Sequence, residues 1–388
     1  MDPKKPPFAA EVKQHNGTPT LFVNGEPEFW TCMWSRGPEP DDDARQTAEL
    51  AGIHIYTPHT GSQDHWCGPG EGHSGHWDLS SLKQTFDAFV ASDPYAMFYV
   101  WITLEMKSDW WEKVYPEECE VTNEGRRRTQ SNASVVWREE AKDFIRALVA
   151  HIDEIGYTDR VIGYNMAPGT AGEWGKDSSS MGSPCGDFSE PMRRHFRAWL
   201  RGKYREDAAA LQTAWNDDAV TFETAAVPAT EKQLSTTHFI FREPAREQDV
   251  IDYYLCLAEL YGDLVIDFCR TAKEATGGKA IAGTFYGYLM EMSWNDAFFG
   301  QRPDLWFEGE WATLQRAGHL GLGKVLLSPY VDLLISPNSY GFRKWGGDAP
   351  SMNLVESARL HGKLIIIESD TRRHDSHGGD PTDTRFGR

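Results

Sequence analysis

Seven short, almost wholly apolar runs alternate along this chain with stretches whose apolar residues recur at helical spacing, and this alternation limits the fold more than any other feature. The runs are FWTCMW at 29–34, IHIYT from Ile53, AMFYVWITL ending before Glu105, VIGYNMA, KAIAGTFYGYL, VDLLISP and KLIIIE. Runs without polar alternation are buried on both faces, which implies a parallel sheet covered by helices. The first helix is capped by Asp41 and stopped by Gly52, and the second, from about Leu79, puts Leu82, Phe86, Phe89 and Val90 on one face. The third aligns Trp137, Ala141, Phe144, Ile145, Leu148, Ile152 and Ile155 ahead of Gly156, and two more fall near 311–327 and 351–361. A doubly wound sheet would carry a glycine-rich phosphate turn after an early strand. No G-x-G-x-x-G opens a helix here, so the sequence predicts a (β/α)8 TIM barrel.

Two segments stand outside the repeat. Residues 18–28 read as a hairpin turning at Asn24-Gly25, the dipeptide that accepts positive φ at both turn positions. Residues 177–278 read as a helical insertion after strand four, ending in a long helix lined by Ile251, Tyr254, Ala258, Tyr261, Val265 and Phe268. The whole chain, 1–388, is expected to be one catalytic barrel domain. Residues 369–388 hold nothing like an eighth strand, and HFIF at 238–241 is a weak substitute. An open barrel would leave two long apolar edges unpaired, so the chain is expected to be a fragment ending in the loop after strand seven.

Charge narrows the function. Lys and Arg total 39 against 58 Asp and Glu, a net charge of −19, and the longest basic block is Arg126, Arg127 and Arg128. That gives no electrostatic footprint for nucleic acid or an anionic membrane. Neither a membrane-spanning apolar run nor a signal-like h-region is present, so the sequence reads as cytoplasmic. The six cysteines form no C-x-x-C pair and read as mostly buried thiols.

In a barrel of this kind the chemistry gathers where strands end at the C-terminal face. Two carboxylates qualify best: Glu368 closes the run KLIIIE, and Glu173 lies in the loop GTAGEW after strand four. A pair of carboxylates across a glycosidic bond is the minimum equipment for its hydrolysis, one as acid and the other as nucleophile or base. A separation of about 5–5.5 Å, which retains stereochemistry, is the expectation here.

These positions, with PNSYGFR after strand six, resemble the clan A glycoside hydrolases. NGEPEFW, VIGYNMA, FRAWLRGKYREDAAALQTAWND and GKLIIIESDTR resemble the family 42 β-galactosidase-like enzymes over about residues 18–372. The resemblance implies acid/base Glu173, nucleophile Glu368, and Tyr340 hydrogen-bonded to the nucleophile. The family's Asn-Glu at the end of strand four is here Gly172-Glu173, several residues further on, and the cysteine spacing of the family's zinc cluster is absent. No cofactor is implied, the partner is a carbohydrate substrate, and a homo-oligomer stays open because family relatives are often trimers.

Fifteen tryptophans in 388 residues is a rich supply of platforms for sugar rings. Trp34, Trp101, Trp174 and Trp294 fall near strand ends, whereas Trp137, Trp199 and Trp215 sit on helices as core. Arg36, His59 and Asn338, after strands one, two and six, are candidate hydroxyl binders, and Glu105, ending strand three, either binds a hydroxyl or pairs with Lys107. Glu308 and Glu310 read as helix-start acids.

Two other readings compete. The loop from His59 to His76, with His65, Cys67 and His73, invites a metal-dependent hydrolase, although its spacing matches no closed zinc site, and the carboxylate-pair reading assigns no metal. A catalytically inactive carbohydrate-binding protein is the other.

Overall fold

The computed structural model describes residues 8–34, 42–69, 75–106, 108–169, 172–174, 186–235, 237, 241–290, 318–339 and 348–369. All seven expected strands form: β1 (Cys32–Trp34), β2 (Ile55–Thr57), β3 (Met97–Thr103), β4 (Val161–Met166), β5 (Ile281–Phe285), β6 (Leu333–Pro337) and β7 (Leu364–Glu368). They line up in chain order in one sheet, and each neighbouring pair is parallel. His59–Gly61 continues beyond β2 against the far half of β3. The sheet curls so that its concave side holds one apolar cluster with a member from every strand: Cys32, Ile55, Tyr99, Ile162, Ile281, Leu333 and Leu364. This is a half-barrel of the (β/α) type. Residues 370–388 lie outside the described residues, as does HFIF apart from Phe241.

Helices cover the convex side. They include α1 (Asp42–Ala51), α2 (Leu82–Ser92) and α3 (Val135–Glu154), which bury their apolar faces in a second, larger cluster. Helix α3 starts at Ser134, whose Oγ accepts from the amide of Trp137 at 3.0 Å, a cap that satisfies one of the orphan donors of the first turn. The indole of Trp137 donates to the carbonyl of Leu104 at 2.8 Å and so ties the helix start to the end of β3.

Between β4 and β5 run α4 (Glu190–Lys203), α5 (Ala208–Trp215) and the 32-residue α6 (Pro244–Ala275). Helix α6 buries Leu264, Val265, Phe268 and Ala272 in the convex cluster, and Phe268 meets Trp137 of α3 edge-on at 5.5 Å. It therefore occupies a barrel helix's place, and the added material is the part ahead of it. Helices α4 and α5 dock on α6 through one buried carboxylate, Asp252, which accepts from Lys203, from the Tyr204 hydroxyl at 2.7 Å and from the Trp215 indole at 2.9 Å. No helix among the described residues is long and apolar enough to cross a membrane.

The expected hairpin is part of a three-stranded antiparallel sheet, Ala10–His15, Thr18–Val23 and Glu26–Glu28. Asn24 and Gly25 both have positive φ, 54° and 87°, and Asn16 and Gly17 repeat this at 52° and 80°. The amide of Ala10 donates to the carbonyl of Lys279, just ahead of β5, and Ala10 and Leu21 enter the concave cluster. The small sheet is thus a floor at the N-terminal end of the half-barrel.

Candidate active site at the C-terminal rim

The loop after β4 is fixed residue by residue. Glu105, beyond the end of β3, accepts the amide of Gly169 in its carboxylate. The amide of Gly172 donates to the carbonyl of Gly169 at 2.9 Å, and that of Trp174 to Pro168 at 2.7 Å, so the chain doubles back over the barrel mouth. Gly172 has φ +75°, and a Cβ there would lie 2.4 Å from Cζ2 of Trp101, so glycine is required on both counts. Glu173 is left 7% exposed at the rim, with its carbonyl accepting from His319 Nε2 at 2.9 Å.

Trp174 was expected to offer a face to a sugar, but it turns into the convex core instead. It is 1% exposed, has φ +62°, and packs against Phe268, Tyr261 and Tyr286. Its indole donates to Thr284 Oγ1 at 2.6 Å, and that hydroxyl donates onward to the carbonyl of Met166. Trp174 is the anchor of the Glu173 loop.

The second candidate carboxylate is the last residue of a strand. Glu368 ends β7 in register with Pro337 of β6 and is half-buried. It lines a cavity of about 640 Å³ with Cys32, Trp34, Thr57, Trp101 and Phe285. Burial pushes the Cys32 thiol up to about 11, and the charge of Glu368 adds to the rise, so the two groups are in electrostatic reach. Trp34, Trp101, His59 and Phe285 form one aromatic group here. Trp34 meets Trp101 edge-on at 4.3 Å, His59 stacks on Trp101 at 5.0 Å, and Phe285 lies 4.9 Å from Trp101. Trp101 touches both regions: one edge of its ring lies under Gly172, the residue before Glu173, and the ring lines the cavity that Glu368 also lines.

Asn338 follows β6, bridges antiparallel to Ser351, and has a buried Oδ1 with no hydrogen-bond partner among the described residues. Arg36, Trp294 and Tyr340 lie outside the described residues, as do Glu308, Glu310 and His73. The His loop is a short helix (Ser62–His65) and a hairpin (Trp66–Pro69 with Gly75–Trp77). Both ring nitrogens of His65 are engaged: Nδ1 donates to the carbonyl of Asp78 at 2.7 Å, and Nε2 accepts from Thr60 at 2.9 Å. Among the described residues no three metal-ligating side chains gather.

Sequence reading missed Asn165. It lies in β4 between Trp101 and Gly283, on the concave side with Gly163 and Ala167, fully buried, and neither side-chain amide atom bonds a described residue. Leaving such groups unsatisfied costs about 1–3 kcal/mol each, which sets Asn165 apart within an otherwise apolar strand. A polar residue within an otherwise apolar predicted strand was the available signal.

No family model and no curated protein sequence matches the chain. Solved structures do. The catalytic domain of β-amylase from Paenibacillus polymyxa superposes with a TM-score of 0.64 at 14% identity, over 92% of this chain and 89% of that one. A β-galactosidase from the psychrophilic Marinomonas ef1 gives 0.50 at 15% identity, over 80% of this chain and 40% of that one. The chain thus spans well under half the length of that β-galactosidase, and at these identities the likeness is one of fold.

Proposed function

We propose that the chain is a retaining glycoside hydrolase acting on β-glycosides, β-galactosides among them. The observation that supports this is that Trp101 packs under the loop that carries Glu173 and also lines, with Trp34, the cavity that Glu368 lines. Aromatic faces suit the C–H faces of a pyranose, and the flanking carboxyls suit its acetal. The fold neighbours, a β-amylase and a β-galactosidase by name, agree with a sugar-directed role.

In the first step the Glu173 carboxyl gives its proton to the glycosidic oxygen. The bond from that oxygen to the anomeric carbon breaks with its electron pair staying on oxygen, and a Glu368 carboxylate oxygen bonds the anomeric carbon. In the second step Glu173, now a carboxylate, takes a proton from water. The resulting oxygen displaces Glu368, which leaves as a carboxylate, and the sugar is released with its configuration retained. Trp34, His59 and Asn338 from the described rim, with Arg36, Tyr340 and Trp294, are the proposed sugar contacts.

A 2-deoxy-2-fluoro-β-galactoside with a dinitrophenolate leaving group tests this. The reading expects a covalent adduct on the peptide containing Glu368, detected by mass spectrometry. Aryl β-glycosides that bind but neither turn over nor label Glu368 would identify a binding protein instead, and an inverted first product would remove the double displacement.

A further inference from the structure

His319 lies far from Glu173 in sequence and is fully buried beneath it. Its Nδ1 accepts two main-chain amides, Gly287 at 3.1 Å and Tyr288 at 3.2 Å, both just past the end of β5. An acceptor nitrogen carries no proton, so the ring's proton is on Nε2, which donates to the carbonyl of Glu173 at 2.9 Å. Burial pushes the imidazole down to about 4, so it is neutral in the range where an enzyme works. The ring is held between Tyr286, at 4.8 Å, and Tyr288, at 4.9 Å.

The turn that carries His319 is itself fixed. Gly318 has φ +78°, and a Cβ there would strike the ring of Tyr261 on α6 at 2.4 Å. The carbonyl of Gly318 accepts the Tyr286 hydroxyl at 2.7 Å. Glu105 and Thr284 anchor residues on either side of Glu173, whereas the hydrogen bond from His319 falls on Glu173 itself.

We propose that His319 is a positioning residue for the general acid: through its Nε2–H bond to the main chain of Glu173, it sets where that carboxyl group stands relative to the glycosidic oxygen. The proposal rests on the reading of Glu173 as acid/base. Its consequence is selective. A displaced acid slows glycosides whose leaving group needs a proton and spares those whose leaving group departs unaided.

The test uses the full chain with phenyl and 2,4-dinitrophenyl β-galactosides. His319→Asn keeps an acceptor near Nδ1 and loses the donor that reaches Glu173, whereas His319→Gln keeps a donor near Nε2. We expect His319→Asn to lower kcat/KM for the phenyl glycoside by about 100-fold and to change the dinitrophenyl glycoside by less than about 3-fold, with His319→Gln recovering most of the loss. Equal slowing of both glycosides by His319→Asn, or no slowing, overturns the proposal. Nitrogen-15 spectra of the wild-type ring give a readout besides activity: a proton on Nδ1, or a charged ring at neutral pH, overturns it as well. Glu173→Gln separates the two levels. Where that variant shows the leaving-group split and His319→Asn does not, only the positioning proposal fails. Where Glu173→Gln shows no split, or the wild type hydrolyses neither glycoside, the acid/base reading fails and takes the positioning proposal with it.

Discussion

Glu173 sits seven residues beyond the last residue of β4, in a loop bonded by Glu105, Thr284 and His319, whereas Glu368 is itself the last residue of β7. The surroundings differ in the same way. Trp174, next to Glu173, is 1% exposed, while Ile367, next to Glu368, is 46% exposed on a strand paired on one side among the described residues. A carboxylate on a strand end inherits its position from sheet register, here the pairing of Glu368 with Pro337. A carboxylate in a loop has no ladder to inherit from, so its position is built from side chains recruited from three other parts of the chain.

The largest effect tests the strand side. Glu368→Gln should lower kcat on aryl β-glycosides by about 10⁴-fold or more with little change in Tm, because it removes the proposed nucleophile and leaves the ladder intact. A large loss of Tm would show that this carboxylate is structural and break the comparison.

Trp174→Ala acts on the loop side. Deleting the buried indole and its bond to Thr284 should cost about 3–5 kcal/mol in denaturant unfolding. A cost below about 1 kcal/mol would mean that the ring is no anchor.

Acid should loosen the buried side. His319 and His195 are both held near 4, mainly by burial, so the unfolded chain takes up their protons first as pH falls from about 6.5 to 4, and stability drops across that window. Asp187 works in the opposite direction: burial, with Glu120 adding to it, raises its carboxyl to about 6, which gains stability as pH falls from about 6 to 3.8. The two histidines outweigh Asp187. Glu223 and Glu247, whose carboxyls are held low by their hydrogen bonds, act in the same direction as the histidines, so urea midpoints should fall from pH 7 to pH 4 and His319→Gln should reduce the fall.

Gly172→Ala comes next, at about 1–3 kcal/mol, from positive φ and the meeting with Trp101. The smallest effect is on the side of β7 unpaired among the described residues, where Ile367→Thr should stay within about 0.5 kcal/mol. A larger cost there would show that the edge of β7 is covered in solution and sharpen the contrast between the two sides.

The barrel strands were legible because burial on both faces writes an almost unbroken apolar run, as in VIGYNM and LLISP. The long helix was legible as a helix but not as a barrel helix, since periodicity reports an apolar face and not what covers it. Glu173 and Glu368 could be picked out by their place after strands. Trp174 was misjudged because a left-handed φ at a non-glycine residue, which turned it inward, leaves no mark in sequence. His319 was invisible for a related reason: a single histidine in AGHLG has no periodicity, and its partners at 173, 287 and 288 are neighbours only after folding. The three-stranded floor was half legible, since Asn16-Gly17 repeats the dipeptide that marked Asn24-Gly25.

That floor has a practical side. The strand Ala10–His15 enters against Lys279, at the end of the half-barrel opposite its C-terminal rim, so a label placed on this strand sits away from the rim. Immobilised through such a label, the half-barrel would present its C-terminal rim outward.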